Sequence, residues 1–358
     1  MIKRSFLLCI AVGVLSCFIT KAQERVVHFP AAEWEVVDRP ETLGLRSSAL
    51  ARAKAYADSA LTTAAVMVIV DGKVAYQWGE VDAKFNTHSI RKSFMSALYG
   101  KYVNRGLIDL DATLDDLGIN DVQGLSELEL TATVRDLLKA RSGVYHDAHY
   151  ETAGMKRSKP ARHAHKQGTF WYYINWDFNA LNSIFKQQTG LDYYEAIEAD
   201  FAEPIGMQDY TAADGTYFAG PESVHDAYPF QITARDLARF GWLMLNMGHW
   251  NGNQVIDSAW VEESVRYHSD ATLSNTSGYS YLWWVARDFN NYPHLPTVDL
   301  PEGSYAARGA GGHMMVVIPA YNMVFVHRVN THPGVRNRVP YPEVGRILDL
   351  ILKGRVTN

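Results

Sequence analysis

Cysteine is almost absent from this chain. The two present, Cys9 and Cys17, both lie ahead of Thr20. A chain cut after Ala22 carries neither, which excludes a thiol nucleophile, a cysteine zinc site and a disulfide framework together. An excess of basic residues is missing too. Lys and Arg number 34 against 39 Asp and Glu, a formal net charge of -5, whereas nucleic-acid binders show a basic face. No repeat of fixed period and no low-complexity tract is visible. There is no Gly-x-Ser-x-Gly elbow, so an α/β-hydrolase arrangement has no support. There is no His-Glu-x-x-His helix for a metal. The longest apolar run, Phe6 to Ile19, falls short of the about 20 residues a membrane span needs.

That run is informative all the same. Lys3 and Arg4 precede it, and Thr20-Lys21-Ala22 follows with small residues placed for a cut. Basic, apolar, small is the order of a secretory signal. Residues 1–22 are therefore expected to be a signal peptide, with residues 23–358 as one exported, periplasmic or secreted domain. Cys17 after Val14-Leu15-Ser16 also fits a lipoprotein box. Leu15 is unusual there, so plain cleavage is the expectation.

The rest is ordinary in bulk, with 47% hydrophobic and 20% charged residues in 358. A chain of this length can bury a sizeable core. Ser47 to Leu61 has helical spacing, with Leu50, Ala53, Ala57 and Leu61 on one face. Ala64 to Val70 and Lys73 to Trp78 are β-rich and flank Asp71-Gly72, a strong hairpin signal. From Ser89 to Met247 the pattern is mostly helical. Helices are predicted over Ser89–Arg105, with Gly106 as a stop, and over Thr133–Leu138, Asn179–Gln188, Tyr193–Phe201 and Thr233–Met247. Strand character returns over Tyr279–Ala286, Met314–Ile318 and Met323–Arg328. Pro342 to Lys353 closes the chain as an amphipathic helix. Two β-rich ends around a helical middle imply one sheet built from both termini, with a helical lobe inserted. The lobes are placed at about 23–87 with 270–358, and about 88–269.

Chemistry concentrates in a few places. Ser89-Ile90-Arg91-Lys92 is a Ser-x-x-Lys motif, and at helical spacing its ends share one face. Serine is a weak nucleophile without a base. A lysine serves as one only if desolvation or nearby positive charge keeps it partly neutral. Alone the motif arises often by chance. Its setting, after a hairpin and opening an apolar helix, adds weight. His146, His149, His163 and His165 lie in one loop with Asp147, without metal-ligand spacing. The basic stretch Lys156 to Arg162 lies in the same loop, either at a cleft mouth attracting anions or as plain solvated surface.

From His88 through Ser89-Ile90-Arg91-Lys92-Ser93 to Gly106-Leu107-Ile108-Asp109-Leu110, the chain resembles the active-site helix of serine beta-lactamases, penicillin-binding proteins and related esterases. Further matches follow in order. They are Thr133-Val134-Arg135-Asp136-Leu137-Leu138 with Ser142-Gly143, Tyr173-Ile174-Asn175 as the Tyr-x-Asn motif of the class C type, and Pro204-Ile205-Gly206-Met207. The resemblance implies an α/β (α+β) beta-lactamase/transpeptidase-like fold, an antiparallel sheet flanked by helices. It implies Ser89 as nucleophile, Lys92 beside it, and Tyr173 carrying a proton between Ser89 and the leaving group. The charge of Lys92 is expected to lower the Tyr173 pKa. Asn175 would bind substrate or Lys92. The family's Lys-Thr-Gly is absent. Arg308-Gly309-Ala310-Gly311-Gly312-His313 stands there and resembles a glycine-rich variant of family esterases and nylon-oligomer hydrolases, with His313 in place of a common Gln. Oxyanion donors are expected from the amides of Ser89 and of Gly312 or His313, with Gly311 alongside. Arg308 is a candidate carboxylate clamp. The resemblance implies no metal and no organic cofactor, and a small-molecule or peptide-like substrate. Ester or amide hydrolysis ranks above D-alanyl peptidase or beta-lactamase activity, and a non-catalytic sensor of cell-wall fragments is the rival of another class.

Overall fold

The computed structural model describes residues 27–271, 278–286 and 295–356. The leader lies outside the described residues. Eight antiparallel strands form one sheet: β1 (Thr63–Val70), β2 (Lys73–Gly79), β3 (Ser269–Asp270), β4 (Gly278–Tyr279), β5 (Trp284–Val285), β6 (Tyr305–Gly309), β7 (His313–Ile318) and β8 (Met323–Val329), in spatial order β2-β1-β8-β7-β6-β5-β4-β3. The β1–β2 turn has Asp71 at φ 54° and Gly72 at φ 80°. Both central residues are left-handed, as a two-residue hairpin of matching twist demands. A Cβ on Gly72 would stand 2.0 Å from the His28 carbonyl oxygen.

Both faces of the sheet are covered, which explains why its strands read as continuous apolar runs. Along β1, Val66, Val68 and Val70 join a core with α1 (Ser47–Ala60) and the closing helix, Tyr341–Leu352, while Ala65, Met67 and Ile69 join the larger core on the opposite face. Between β2 and β3 the chain is largely helical. α2 (Arg91–Asn104) is buried nearly all round, not on one face as its spacing predicts. It lies between the sheet side and the other helices, so its polar residues are interior too. α3 (Val134–Leu138) is capped by Thr133, whose side chain accepts from the Asp136 amide. α4 (Ala153–Ser158) is a single short helix. α5 (Asn175–Thr189) begins four residues before the predicted start, and α6 (Ala234–Leu245) is capped by Thr233. α7 is the closing helix, Tyr341–Leu352.

The strand predicted over Tyr279–Ala286 is instead two short strands, β4 and β5. Leu282, at φ 63°, turns the chain between them, and the Ser280 amide donates to the Trp283 carbonyl at 2.9 Å. The bend brings Trp284 back toward the cleft. No helix among the described residues is long and apolar enough to cross a membrane.

Candidate active site

Ser89 sits in a single 3₁₀ turn, His88–Ile90, that runs directly into α2. The preceding residue, His88, is left-handed at φ 45°. Its amide donates to Asn86 Oδ1 at 2.6 Å, and its carbonyl accepts from Arg91 Nη1 at 2.9 Å. The far side of this turn abuts the end of β6. A Cβ on Gly309 would lie 2.5 Å from the Thr87 carbonyl oxygen, so only glycine allows the approach.

Lys92 follows one helical turn after Ser89 and faces the same way. Its Nζ lies 2.8 Å from Ser89 Oγ and 2.7 Å from the Tyr173 hydroxyl. The lysine is 1% exposed, and among the described residues no carboxylate pairs with it. Burial, reinforced by the charge of Arg91, holds the amine well below its ordinary range. Desolvation disfavours the charged form of any cation in this way. The same burial acts in reverse on Tyr173. Its hydroxyl is pushed up to about 12, against the opposing pull of the Ser89 hydrogen bond and the charges of Arg91 and Arg308. The sequence-based expectation that Lys92 lowers this tyrosine's pKa is therefore corrected. Desolvation of the ring outweighs the neighbouring cations.

Arg91 is a residue that sequence reasoning passed over. It is fully buried, packed against the rings of Tyr228 and Tyr150 at 4.9 and 5.2 Å, and its Nε and Nη2 lack a hydrogen-bond partner among the described residues. Its position inside Ser-x-x-Lys was the available signal, since a residue there must follow the serine into the interior.

Ser89 and Tyr173 open onto a cleft of about 380 Å³. Thr152, Met155 and Ser158 of the α4 region form one wall. Trp284 and Tyr341 form the other, with the Arg308 guanidinium between them, 4.0 Å from one ring centroid and 4.2 Å from the other. Trp284 also stacks on Tyr173, with centroids 5.4 Å apart. Among the described residues Arg308 Nε and Nη1 are buried without a hydrogen-bond partner. Among the described residues no carboxylate pairs with the guanidinium, an arrangement suited to an anionic group.

The glycine-rich turn presents Ala310 to the cleft, two residues before the expected Gly312. Ala310 lines the cleft with Ser89. Gly311 and Gly312 carry the turn at φ 90° and 104°. The Gly311 carbonyl accepts from Val339, and that of Gly312 from His327 Nδ1. The His313 side chain is buried beneath the site, accepting from Arg328 Nε at 3.0 Å. Asn175 opens α5 with its Nδ2 donating to the Tyr150 carbonyl at 2.7 Å, and its Oδ1 is buried without a partner among the described residues.

The histidine loop has structural work. His146 contacts Glu129, His149 the Ser223 carbonyl, His163 Ser126, and His165 the Tyr145 hydroxyl. Among the described residues no group of three or more potential ligands is placed to hold a metal. In the basic stretch, Lys159 pairs with Asp147 and Glu151, and Arg162 with Glu129, so two of its cations hold the loop together.

Comparison with known proteins bears on the fold and the family. A relative from Alkalihalophilus pseudofirmus, an uncharacterized protein, is 23% identical over 266 residues, covering 70% of this chain and 74% of that protein. A Bacillus anthracis structure, assigned as a 6-aminohexanoate-dimer hydrolase, has a TM-score of 0.61 at 20% identity, over 84% of this chain and 80% of the other. A beta-lactamase from Mycobacterium bovis gives 0.61 at 17% identity, over 84% and 97%. At such identities the superpositions speak for the fold. The family model for beta-lactamase matches residues 50–346. That span runs from α1 to α7 and takes in the serine turn, Lys92, Tyr173 and the Arg308 strand, and on it the chain belongs to the beta-lactamase family.

Proposed function

We propose that this chain is an exported serine hydrolase that cleaves an ester or amide bond through an acyl-enzyme on Ser89. The observation that carries the reading is Lys92 Nζ within hydrogen-bond reach of both Ser89 Oγ and the Tyr173 hydroxyl, in a setting that disfavours its charge. A neutral Lys92 takes the serine proton as Oγ bonds to the substrate carbonyl carbon. Tyr173, protonated at neutral pH, gives its proton to the leaving oxygen or nitrogen and regains one from Lys92. Water then enters, loses a proton to the same pair, and releases the acid as Ser89 recovers its hydrogen. The oxyanion that forms in each half lies between the amides of Ser89 and Ala310, the residue of the glycine-rich turn that shares the cleft with the serine. These contacts favour an enzyme over a binding protein that merely keeps the fold.

Arg308 favours a substrate with a carboxylate near the scissile bond. This keeps a second reading, D-alanyl peptidase or beta-lactamase, beside the first. The test of the main reading is labelling with a fluorophosphonate, followed by mass spectrometry. The adduct is expected on Ser89 and absent from Ser89→Ala. An adduct on another serine, with Ser89→Ala active, sinks the assignment. A panel of esters, D-amino-acid amides and nitrocefin then ranks the substrate classes.

A further inference from the structure

Behind the nucleophile, one hydroxyl touches two histidines, His313 buried and His88 half-buried. Thr331, just beyond β8, has its Oγ1 3.0 Å from His88 Nε2 and 3.2 Å from His313 Nε2. The two rings are 5.3 Å apart. His88 is the residue before Ser89, and His313 opens β7 directly after the Ala310–Gly312 turn. Thr331 therefore joins the two backbone segments that flank the place of reaction.

Both ends of this joint are held. Arg328 Nε donates to His313 Nδ1 at 3.0 Å, while its other nitrogens donate to the carbonyls of Ile232, Phe85 and Asn86. His88 Nδ1 lies 3.1 Å from the Tyr150 hydroxyl, which also accepts from Asn86 Nδ2. With its amide on Asn86 and its carbonyl on Arg91, every polar atom of His88 is tied. That is what a left-handed, non-glycine residue requires in order to persist, because surrounding structure must offset its strain.

We propose that Thr331 is a positioning residue, whose hydroxyl sets the spacing between Ser89 and the Ala310 turn and so the gap that a carbonyl oxygen enters. The inference rests on the reading of Ser89 as nucleophile. Arg328 can only donate, so His313 accepts on Nδ1 and carries its hydrogen on Nε2, toward Thr331. The Thr331 hydrogen passes to His88 Nε2, and His88 donates from Nδ1 to Tyr150. Burial and the cations Arg91 and Arg328 support this neutral pattern, with His88 pushed down to about 4 and His313 well below its ordinary range, the latter by burial, Arg328 and its neighbouring histidines. Replacing the hydroxyl by a methyl leaves both Nε2 atoms facing an apolar group at a partly buried joint. The threonine methyl packs toward Gly311, where a Cβ would lie 3.1 Å away, so a branched side chain keeps the shape.

The test compares Thr331→Val and Thr331→Ser in the full chain, reading fluorophosphonate labelling rate, kcat and KM for an activated acetate ester, and Tm. Thr331→Val is expected to slow labelling and kcat by about tenfold or more, a fraction of what losing an oxyanion donor costs, with KM and Tm little moved. Thr331→Ser is expected to stay near the parent rate. Parent rates in Thr331→Val, or equal losses in the two variants, overturn the proposal, the second outcome assigning the residue to packing alone. His88→Gln removes the same joint from the other side and guards against a misfolded valine variant. It is expected to lower labelling at unchanged KM, and a parent rate counts against the idea. If the parent protein is not labelled on Ser89, it is the nucleophile reading that fails, and this inference with it.

Discussion

The Lys92 amine and the Tyr173 hydroxyl stand 2.7 Å apart, and burial drives their proton affinities in opposite directions. The amine loses affinity because its charged form is the protonated one. The phenol gains it because its charged form is the deprotonated one. Burial thus favours an uncharged base beside an uncharged acid. No charge has to be neutralised before a proton can move from Ser89 toward a leaving group.

Mutation of either partner is expected to be severe, and mutation of both little worse. Lys92→Ala and Tyr173→Phe should each slow turnover by about 10²-fold or more, the scale of general acid–base catalysis. Groups that act as a unit are non-additive, so the double variant should stay close to the worse single one. Steady-state kinetics on an ester decide it. Additive losses mean that the two residues act separately, and normal turnover in Tyr173→Phe removes it from the reaction.

Lys92 also links stability to pH. Its folded pKa is lowered below the unfolded value, so the native state binds fewer protons than the unfolded one between those two values. Stability from this group therefore rises with pH through that window. The burden of burying the lysine is full below its folded pKa and vanishes above the unfolded pKa of about 10.4. Lys92→Met should raise Tm at neutral pH, and the gain should shrink as pH approaches that upper limit. Thermal melts across the alkaline range check the sign. A gain that grows with pH contradicts it.

Arg308 should discriminate among substrates rather than drive the chemistry. Two of its nitrogens lack a partner among the described residues, and these with its place between Trp284 and Tyr341 suit a carboxylate. Arg308→Met is expected to lower kcat/KM by about tenfold or more for a substrate bearing a carboxylate, the scale of a charge-assisted hydrogen bond. A neutral ester should be affected much less. Equal losses on both substrates show that Arg308 supports the Tyr173–Trp284 stack instead.

Export makes a separate prediction. Protein recovered from a native-type host should begin near Gln23 and lie outside the cytoplasm. N-terminal sequencing reads this directly. An intact Met1 on cytoplasmic protein rejects it, and lipid on Cys17 revises the anchor.

Local chemistry was the most legible part of the sequence. Asp71-Gly72 announces its turn because few other pairs tolerate two left-handed residues. Ser89 and Lys92 announce their contact because helical spacing alone puts them on one face. Direction and depth were harder to read. Gly311 and Gly312 mark where the backbone turns, yet the residue facing the cleft is their plain neighbour Ala310, which carries no signal of its own. Tyr173 shows the effect of depth, since a sequence displays basic residues that can approach it but not the burial that outweighs the charges of Arg91 and Arg308. The bend at Leu282 splits a stretch whose aromatic content reads as one continuous strand. Arg91 reads as a surface residue until the whole helix is seen to be interior.

The pairing of β1 with β8 has a consequence for how the chain comes together. Thr63 meets Val329 and Val70 meets Met323, so a central strand from near the start waits for a partner from near the finish. Contacts so distant in sequence carry a large loop-closure entropy and slow the search. The hairpin of β1 with β2 and the helices between can form early, but the sheet stays open along β1 until β8 is delivered. If the leader is used as proposed, the delay is useful, because a polypeptide still being threaded through a membrane channel lacks the strand that would lock it shut on the wrong side.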